Sequence, residues 1–588
     1  MEKTTLEKFY TAKFMRVPAY QRDYAWAPSN VDDLWTDVNE ALSTKGTHYL
    51  GTFILARRKG EDTFDIVDGQ QRLTTLTMLL RALVDKLPPS ESVKRVVFED
   101  RYIRSGGRFR LTLLGENQEF FLKLIAAEDP APNTGGQRRL QEAFARIRDR
   151  VDDLASGDPK EVGRWIEGIE QLYVLEFVEE DEGSAIRTFE TVNDRGRPLA
   201  TLDKVKSFLI YTSSRYLGGF LDSELQSRFG RIFRSFDLIK EAGKGLDIQL
   251  IARDPFTEDS VLRYHFLAYP SDYHDYRYTA EEVLGQFLKP FSKHLRASSA
   301  QECKEFIDDY SKDLAKFFEA LASLLRRASE EPAYFKVFTN LPLSAQMYPL
   351  ITRLEMLGLL AAKPLTGNEA TLLDMIETAD LRVYKTRGTT PEKDLAQLAS
   401  ESRRLPATEI AQRLGEFVED FMDDSLFRHS LDGNVYEQNE GARHILLEWD
   451  EDAHKKQVGS PSTMPELVRL KELIPTIDHI LAQSPTFSTN GRGFADLLQY
   501  GEQIHRLGNL TVVERAINSA AQQKTPEQKA QDDRLYKAST CPSTRQLGIS
   551  LTGQHERGEM FGKDSIEKRT TSLIDFCLRR WPLWDGSS

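Results

Sequence analysis

Hydrophobic positions change period along this chain, and the changes mark its elements. Tyr49–Ala56 and Phe64–Val67 are short apolar runs, partly β-branched and bounded by glycine and charge, which predicts two buried strands. From Arg72 the spacing becomes helical, with Leu73, Leu76, Leu79, Leu80 and Leu83 on one face. Tyr173–Val178 predicts another strand, and Ala185–Val192 and Leu202–Tyr211 predict helices. Between Gly219 and Arg428 the pattern is mostly helical, as in Phe306–Arg327 and Thr371–Val383, with breaks at Asp254-Pro255, Tyr269-Pro270 and Leu341-Pro342. Mixed structure then returns. Thr476–Ala482 predicts a strand, Leu510–Val513 its antiparallel partner, and Glu514–Gln523 a helix packed through Ala516, Ile517, Ala520 and Ala521. A Gly/Ser/Pro-rich stretch at Val458–Pro465 predicts a loop.

A length of 588 residues exceeds one hydrophobic core. The element pattern divides it into a mixed region (1–215), a helical connector or binding region (216–430) and a second mixed region (431–588), an α+β multidomain chain. Hydrophobic residues at 40% and charged residues at 29% are ordinary for a globular protein. No run approaches the ~20 apolar residues of a membrane span. The opening residues lack the apolar core of a secretion signal. Three cysteines, Cys303, Cys541 and Cys577, offer neither a disulfide framework nor a zinc knuckle, so a reducing cytoplasm is expected. The net charge of −13 argues against a general DNA coat protein but not against a DNA enzyme, which needs only a local basic surface. Arg101–Arg110 and Arg138–Arg150 are basic clusters that read as either such a surface or solvated faces.

Candidate chemistry concentrates in two places. In the C-terminal region, Asp478-His479-Ile480 precedes His505-Arg506-Leu507-Gly508-Asn509-Leu510 and Asn518. Strand, loop, strand and helix in that order make the ββα frame of a one-cation, His-Me finger (HNH) nuclease, with Asn in place of the last His. Phosphodiester hydrolysis needs a deprotonated water, and neutral imidazole is suited to take that proton, so His479 is the expected base. Asn509, by side chain or backbone, is expected to hold the His479 ring in one tautomer. Asp478 and Asn518 are hard oxygen donors, expected to hold Mg²⁺ or Mn²⁺. His505 reads either as a phosphate contact or as loop packing.

The second place is Asp68-Gly69-Gln70-Gln71-Arg72, where a strand ends and a helix begins. Helix-start N–H groups attract anions, Gly69 allows close approach, and Arg72 can grip phosphate oxygens with two bonds. Asp68 can hold a cation or a sugar hydroxyl, Gln70 and Gln71 can position water, and Thr74 and Thr75 add hydroxyls. Pro18-Ala19-Tyr20-Gln21-Arg22-Asp23-Tyr24-Ala25-Trp26 brings a second Gln-Arg pair, a candidate lining strand of the same pocket. A capped structural turn is the competing reading of this motif. No Walker A sequence is present. Phe189–Asp203 is a third dense cluster, read as a structural loop with Asn193 kept as a pocket candidate; Asn193, Arg195 and Gly196 form its turn.

These clusters together resemble a known family. Val17–Trp26, Ile66–Leu76 (IVDGQQRLTTL) and Asn193–Leu199 are similar to the GmrS-type domain, which has a ParB/sulfiredoxin-like fold. IDHILAQ, HRLGNLTVVERAIN and Ser565–Trp581 resemble the GmrD-type HNH domain, with Ala482 where that family often has proline. The resemblance reaches both ends of the chain, with the helical middle poorly matched. Fused GmrSD proteins are modification-dependent type IV restriction enzymes, related to SspE proteins that act alongside DNA phosphorothioation. The resemblance implies an anti-phage DNA endonuclease or nickase. Asp68, Gly69, Gln70, Gln71 and Arg72 then bind and hydrolyse an NTP, GTP favoured, with Gln21 and Arg22 beside them. Asp478, His479, Asn509 and Asn518 form the nuclease site. Double-stranded DNA, modified or from phage, is the implied partner, with homo-oligomerisation open. Two rival readings are a nucleotide-gated DNA-binding switch with a vestigial nuclease site, and a modification-independent HNH nuclease.

Overall fold

The structure, a computed structural model, describes residues 2–18, 21–43, 49–57, 62–113, 117–180, 185, 188, 200–270 and 275–584. It is a helix-rich α+β chain of two units. One comprises Met1–Glu241, Thr257–Arg263 and Tyr278–Glu319, and the other Ala242–Phe256, Tyr264–Arg277 and Ala320–Ser588. Residues 216–430 contribute to both.

In the first unit six strands form one sheet: β1 (Glu2–Thr5), β2 (Met15–Val17), β3 (Tyr49–Arg57), β4 (Phe64–Asp68), β7 (Leu111–Leu113) and β8 (Tyr173–Glu179). Their order is β1-β8-β3-β4-β2-β7. β5 (Arg104–Ser105) and β6 (Arg108–Phe109) make a separate hairpin. β3 and β4 pair antiparallel, while β3–β8, β4–β2 and β2–β7 are parallel. Phe53, Ile54, Leu55 and Ile66 are fully buried, which is why these runs are nearly continuous in apolar residues.

The helix Gln70–Asp85 leaves β4 directly and packs against the helices Ser92–Tyr102, Gly135–Gly157 and Pro159–Gln171. It is enclosed on most sides, so even its threonines are internal. Thr75 Oγ1 donates to the Gln71 carbonyl (2.8 Å) and pairs with the Tyr24 hydroxyl (2.8 Å). Thr77 pairs with the Tyr10 hydroxyl at 2.9 Å. The Thr75 hydroxyl, expected from the sequence to face a ligand, is thus spent inside the core. Of the helix expected at Ala185–Val192 only Ala185 and Thr188 are described, and the cluster holding Asn193, Arg195 and Gly196 lies outside the described residues, as do Ala19 and Tyr20.

Part of each basic cluster is spent on bonds within the fold, while Arg104, Arg108, Arg138 and Arg148 are exposed. Arg101 pairs with Glu7 (3.0 Å) and Glu170 (2.7 Å), and Arg110 donates to the Thr11 and Asp100 carbonyls. Arg139 pairs with Asp237 at 3.2 Å, while Arg146 and Arg150 both grip Asp32 at 3.0 Å. These arginines brace helices against one another.

In the second unit β9 (Pro475–His479) and β10 (Leu510–Glu514) pair antiparallel, with His479 opposite Leu510 and Asp478 opposite Thr511. The helix Arg515–Ala521 follows at once. β10 packs on the helices Ala442–Val458 and Pro542–Glu556, and the helix Lys563–Arg580 runs along Leu507–Asn509. β9 stops at His479 rather than Ala482, because the Asn509 amide captures both backbone groups of Leu481. On the helix Arg515–Ala521, Ala521 is buried and Ile517 half-buried, whereas Ala516 and Ala520 are exposed. Their alanines were expected to pack, but so short a helix meets β9 mainly through Asn518. Among the described residues no helix is long and apolar enough to cross a membrane, and the three cysteines are buried free thiols.

Candidate functional site

The end of β9 delivers two adjacent side chains to different neighbours, as strand alternation requires. The Asp478 carboxylate accepts from Lys529 Nζ on both oxygens (3.1 and 2.9 Å) and from the Tyr536 hydroxyl (2.5 Å). The same ammonium donates to the His479 carbonyl at 2.6 Å. His479 Nε2 stands 3.1 Å from His505 Nδ1, and the Gln483 amide lies 3.2 Å from His479 Nδ1. Tyr436 stacks on His505 and meets His479 edge-on. Glu437 Oε1 lies 3.6 Å from His505 Nε2. Burial, then the neighbouring His505 and Lys529, pull the His479 pKa down to about 3. The ring is therefore neutral near pH 7, the form that accepts a proton.

Asn509 is fully buried and does not touch the His479 ring. Its Nδ2 donates to the Leu481 (3.0 Å) and Ile504 (2.8 Å) carbonyls, its Oδ1 accepts the Leu481 N–H (2.8 Å), and its own carbonyl accepts the Ile480 N–H (2.8 Å). It fixes the chain that leaves β9; His505 and Gln483 stand at the ring in the place expected of Asn509. Asn518 turns its Nδ2 to Thr476 Oγ1 (2.9 Å) and the Ile477 carbonyl (3.0 Å), which locks the helix onto β9. Gly508 is required by close approach, since a Cβ there would lie 2.0 Å from the Ile566 carbonyl oxygen. Arg569, half-buried on the helix Lys563–Arg580, donates to the Gly508 (2.9 Å) and Leu510 (2.5 Å) carbonyls. The closing segment thus holds the loop from which His505 and Asn509 project.

A divalent cation on Asp478 does not fit this donor set. Both carboxylate oxygens already carry an ammonium, and a second cation beside it would meet strong repulsion in a buried setting. Among the described residues no three His, Cys, Asp or Glu side chains gather at metal-binding distance.

In the other unit, Gly69 adopts φ +91° at the start of the helix Gln70–Asp85, and a Cβ there would strike the Phe53 ring at 2.4 Å. Asp68 and Arg72 flank it. Burial raises the Asp68 pKa, with the Gly69 N–H and the Arg72 charge opposing the rise. The Arg72 guanidinium lies against Gly51 and near the Phe53 ring, and among the described residues it makes no hydrogen bond. Gln70 and Gln71 turn to a separate cleft with Gln21, Arg22, Asp23 and Asn117. There Gln71 accepts from Ala25 N–H (2.9 Å) and donates to the Asp23 carbonyl (3.1 Å), and Gln21 donates to the Ile66 and Val67 carbonyls. Arg22 is bound to Asp203 (2.7 Å) and Glu258; burial works against its charge, but the two carboxylates raise its pKa. Gln70 Oε1 and Asn117 Oδ1 are buried acceptors without a partner among the described residues. The motif therefore splits: Asp68, Gly69 and Arg72 face one side, while Gln21, Arg22, Gln70 and Gln71 line the other.

Residues 5–210 match the family described as GmrSD restriction endonuclease, N-terminal domain, and residues 421–576 match GmrSD restriction endonucleases, C-terminal domain. The chain belongs to the GmrSD restriction endonucleases. No curated protein matches it. The N-terminal GmrSD match contains Gln21, Arg22 and the Asp68–Arg72 motif; the C-terminal one contains Asp478, His479, Asn509 and Asn518. As a GmrSD-type, type IV restriction endonuclease, the chain acts on DNA. Lys529, Tyr536, Gln483 and Arg569 are the residues of this GmrSD chain that sequence reasoning missed. Lys529 and Tyr536 lie 51 and 58 positions from Asp478, with no motif to announce them.

Proposed function

We propose that this protein is an anti-phage, modification-dependent DNA endonuclease or nickase in which His479 is the general base. The observation that carries the reading is the imidazole at the end of β9, held beside His505 and Gln483, in a chain of a DNA-cutting family. His479 takes the proton of the water that attacks phosphorus, and the bond from phosphorus to the departing oxygen breaks. His505 and Gln483 fix the ring, and Asn509, Gly508 and Arg569 fix the backbone beneath it. On this reading the region around β9 and β10 is a His-Me finger module.

We further propose that the Asp68–Arg72 motif of a ParB-like module binds and hydrolyses a nucleoside triphosphate, GTP favoured, and that turnover controls cutting. Supporting it are the Arg72 guanidinium, which makes no hydrogen bond among the described residues, and the first-turn N–H groups of the helix Gln70–Asp85, which together suit a phosphate. The test pairs two variants in nucleotide-hydrolysis and DNA-cutting assays. Arg72→Ala should abolish turnover, and His479→Ala should abolish cutting while turnover continues. Undiminished hydrolysis by Arg72→Ala would remove the motif from the reading.

A further inference from the structure

Asp478, expected to hold a divalent cation, already has a cation of its own. Lys529 Nζ has three protons and meets three acceptors, Asp478 Oδ1, Asp478 Oδ2 and the His479 carbonyl, at 3.1, 2.9 and 2.6 Å. The Lys529 side chain is completely enclosed and that of Asp478 is 6% exposed. Tyr536 supplies a further donor to Oδ2. Nothing about this lysine is loose. Its short helix, Pro526–Gln531, opens on a reciprocal Thr525–Gln528 cap. Glu527 is gripped by both arms of buried Arg492 (2.9 and 2.6 Å), whose guanidinium also donates to the Phe561 carbonyl (2.7 Å). Ala530 sits in the core beside Tyr536 and Ile480.

We propose that Lys529 is the resident cation of Asp478, and that the Lys529–Asp478–Tyr536 cluster is a positioning device that aims His479 through its carbonyl. This rests on the reading of His479 as the base. Where β9 ends, the Ile480 N–H is taken by the Asn509 carbonyl and the His479 carbonyl is taken by Lys529. Both sides of the peptide that follows the base are thereby fixed, and rotation of that peptide is what would swing the imidazole. Asp478 holds the ammonium in place and Tyr536 holds Asp478. A hard cation such as Mg²⁺ demands a close, regular oxygen shell. It cannot share these two oxygens with an ammonium that is itself locked, so any divalent cation this protein uses binds without Asp478.

The test measures Mn²⁺ affinity of the full chain by electron paramagnetic resonance, alongside DNA affinity and single-turnover cutting. Asp478→Asn keeps the shape and removes the charge. We expect its Mn²⁺ affinity to stay within about twofold of the parent, far from the roughly 10–100-fold loss that removal of even an outer partner of a metal produces. We expect DNA affinity to hold while the single-turnover rate falls by about 10²-fold, the cost of a base misplaced by about an ångström. A Mn²⁺ affinity lowered tenfold or more in Asp478→Asn would overturn the proposal. Lys529→Met, which leaves a buried carboxylate alone, can fail to fold; the double variant Asp478→Asn/Lys529→Met removes both charges and should melt above Lys529→Met. Additive melting losses would equally overturn it. Failure of the parent to cut would instead sink the nuclease reading, and the 478–529 coupling would still be measurable.

Discussion

At His479 the decisive quantity is desolvation. The ring is buried against Tyr436 and His505, with Lys529 nearby, and each disfavours the imidazolium, which is why its pKa sits near 3. The consequence for rate has a clear sign. An ordinary imidazole with a pKa of about 6.5 would lose about tenfold of its neutral form between pH 7.5 and pH 5.5. His479 stays neutral through that range, so we expect single-turnover cutting to keep its rate down to pH 5.5. A tenfold fall centred near pH 6.5 would contradict this account of the site. His505→Ala should slow cutting by roughly 10²-fold with unchanged DNA affinity, because the imidazole loses the neighbour that orients it. Equal rates for parent and variant would make His505 mere loop packing, one of the two roles its sequence allowed. The residue types at this site were legible because DHI, GNL and a later Asn follow one another in order. The partners were not. Asn509 was expected at the imidazole, but its amide has two donors and an acceptor, and three backbone groups of the turning chain satisfy all of them.

Elements decide how well those residues are held. The loop before β10 touches the helix Lys563–Arg580 so closely that residue 508 has no room for a side chain. Gly508→Ala should cost about 1–3 kcal/mol or more by overpacking, read as a lowered melting temperature. Arg569→Met should lower both stability and cutting, since the Leu507, Gly508 and Leu510 carbonyls lose their donor. A second element contact reports on pH. Asp450, on the helix Ala442–Val458, accepts from the Ser543 N–H (2.8 Å) and hydroxyl (2.6 Å) at the start of the helix Pro542–Glu556. Burial pushes its pKa up to about 7, with those bonds opposing the rise and Glu514 adding to it. The folded protein therefore holds a proton that the unfolded chain releases near pH 4, and this site's stability contribution falls as pH rises from about 4 to about 7. Asp450→Asn should remove that fall and gain roughly 1–3 kcal/mol over the parent at pH 8, with little gain at pH 4. Melting curves at both pH values check it. Strong periodicity made the long elements readable: β3, β4, β8 and the helix Gln70–Asp85 lie within a few residues of their expected bounds. β1, β2 and β7, at three or four residues each, are too short to carry a period and came only with the sheet.

Over the whole molecule, the Asp68–Arg72 motif belongs to one unit and the β9–β10 site to the other. The family match covers both and leaves residues 211–420 outside it. The arginines held in ion pairs and the net charge of −13 argue against a general DNA coat and for a local basic surface. We therefore expect DNA binding to be weak and its salt dependence shallow in a salt titration, since few phosphate contacts release few counterions. The most direct test of the central claim is cutting of three matched DNAs, unmodified, glucosylated at hydroxymethylcytosine, and phosphorothioated, by the parent and by His479→Ala, with Mg²⁺ and with or without GTP. The account predicts that the parent cuts, that the DNAs differ, and that His479→Ala cuts none of them. Cutting by His479→Ala at the parent's rate would contradict it.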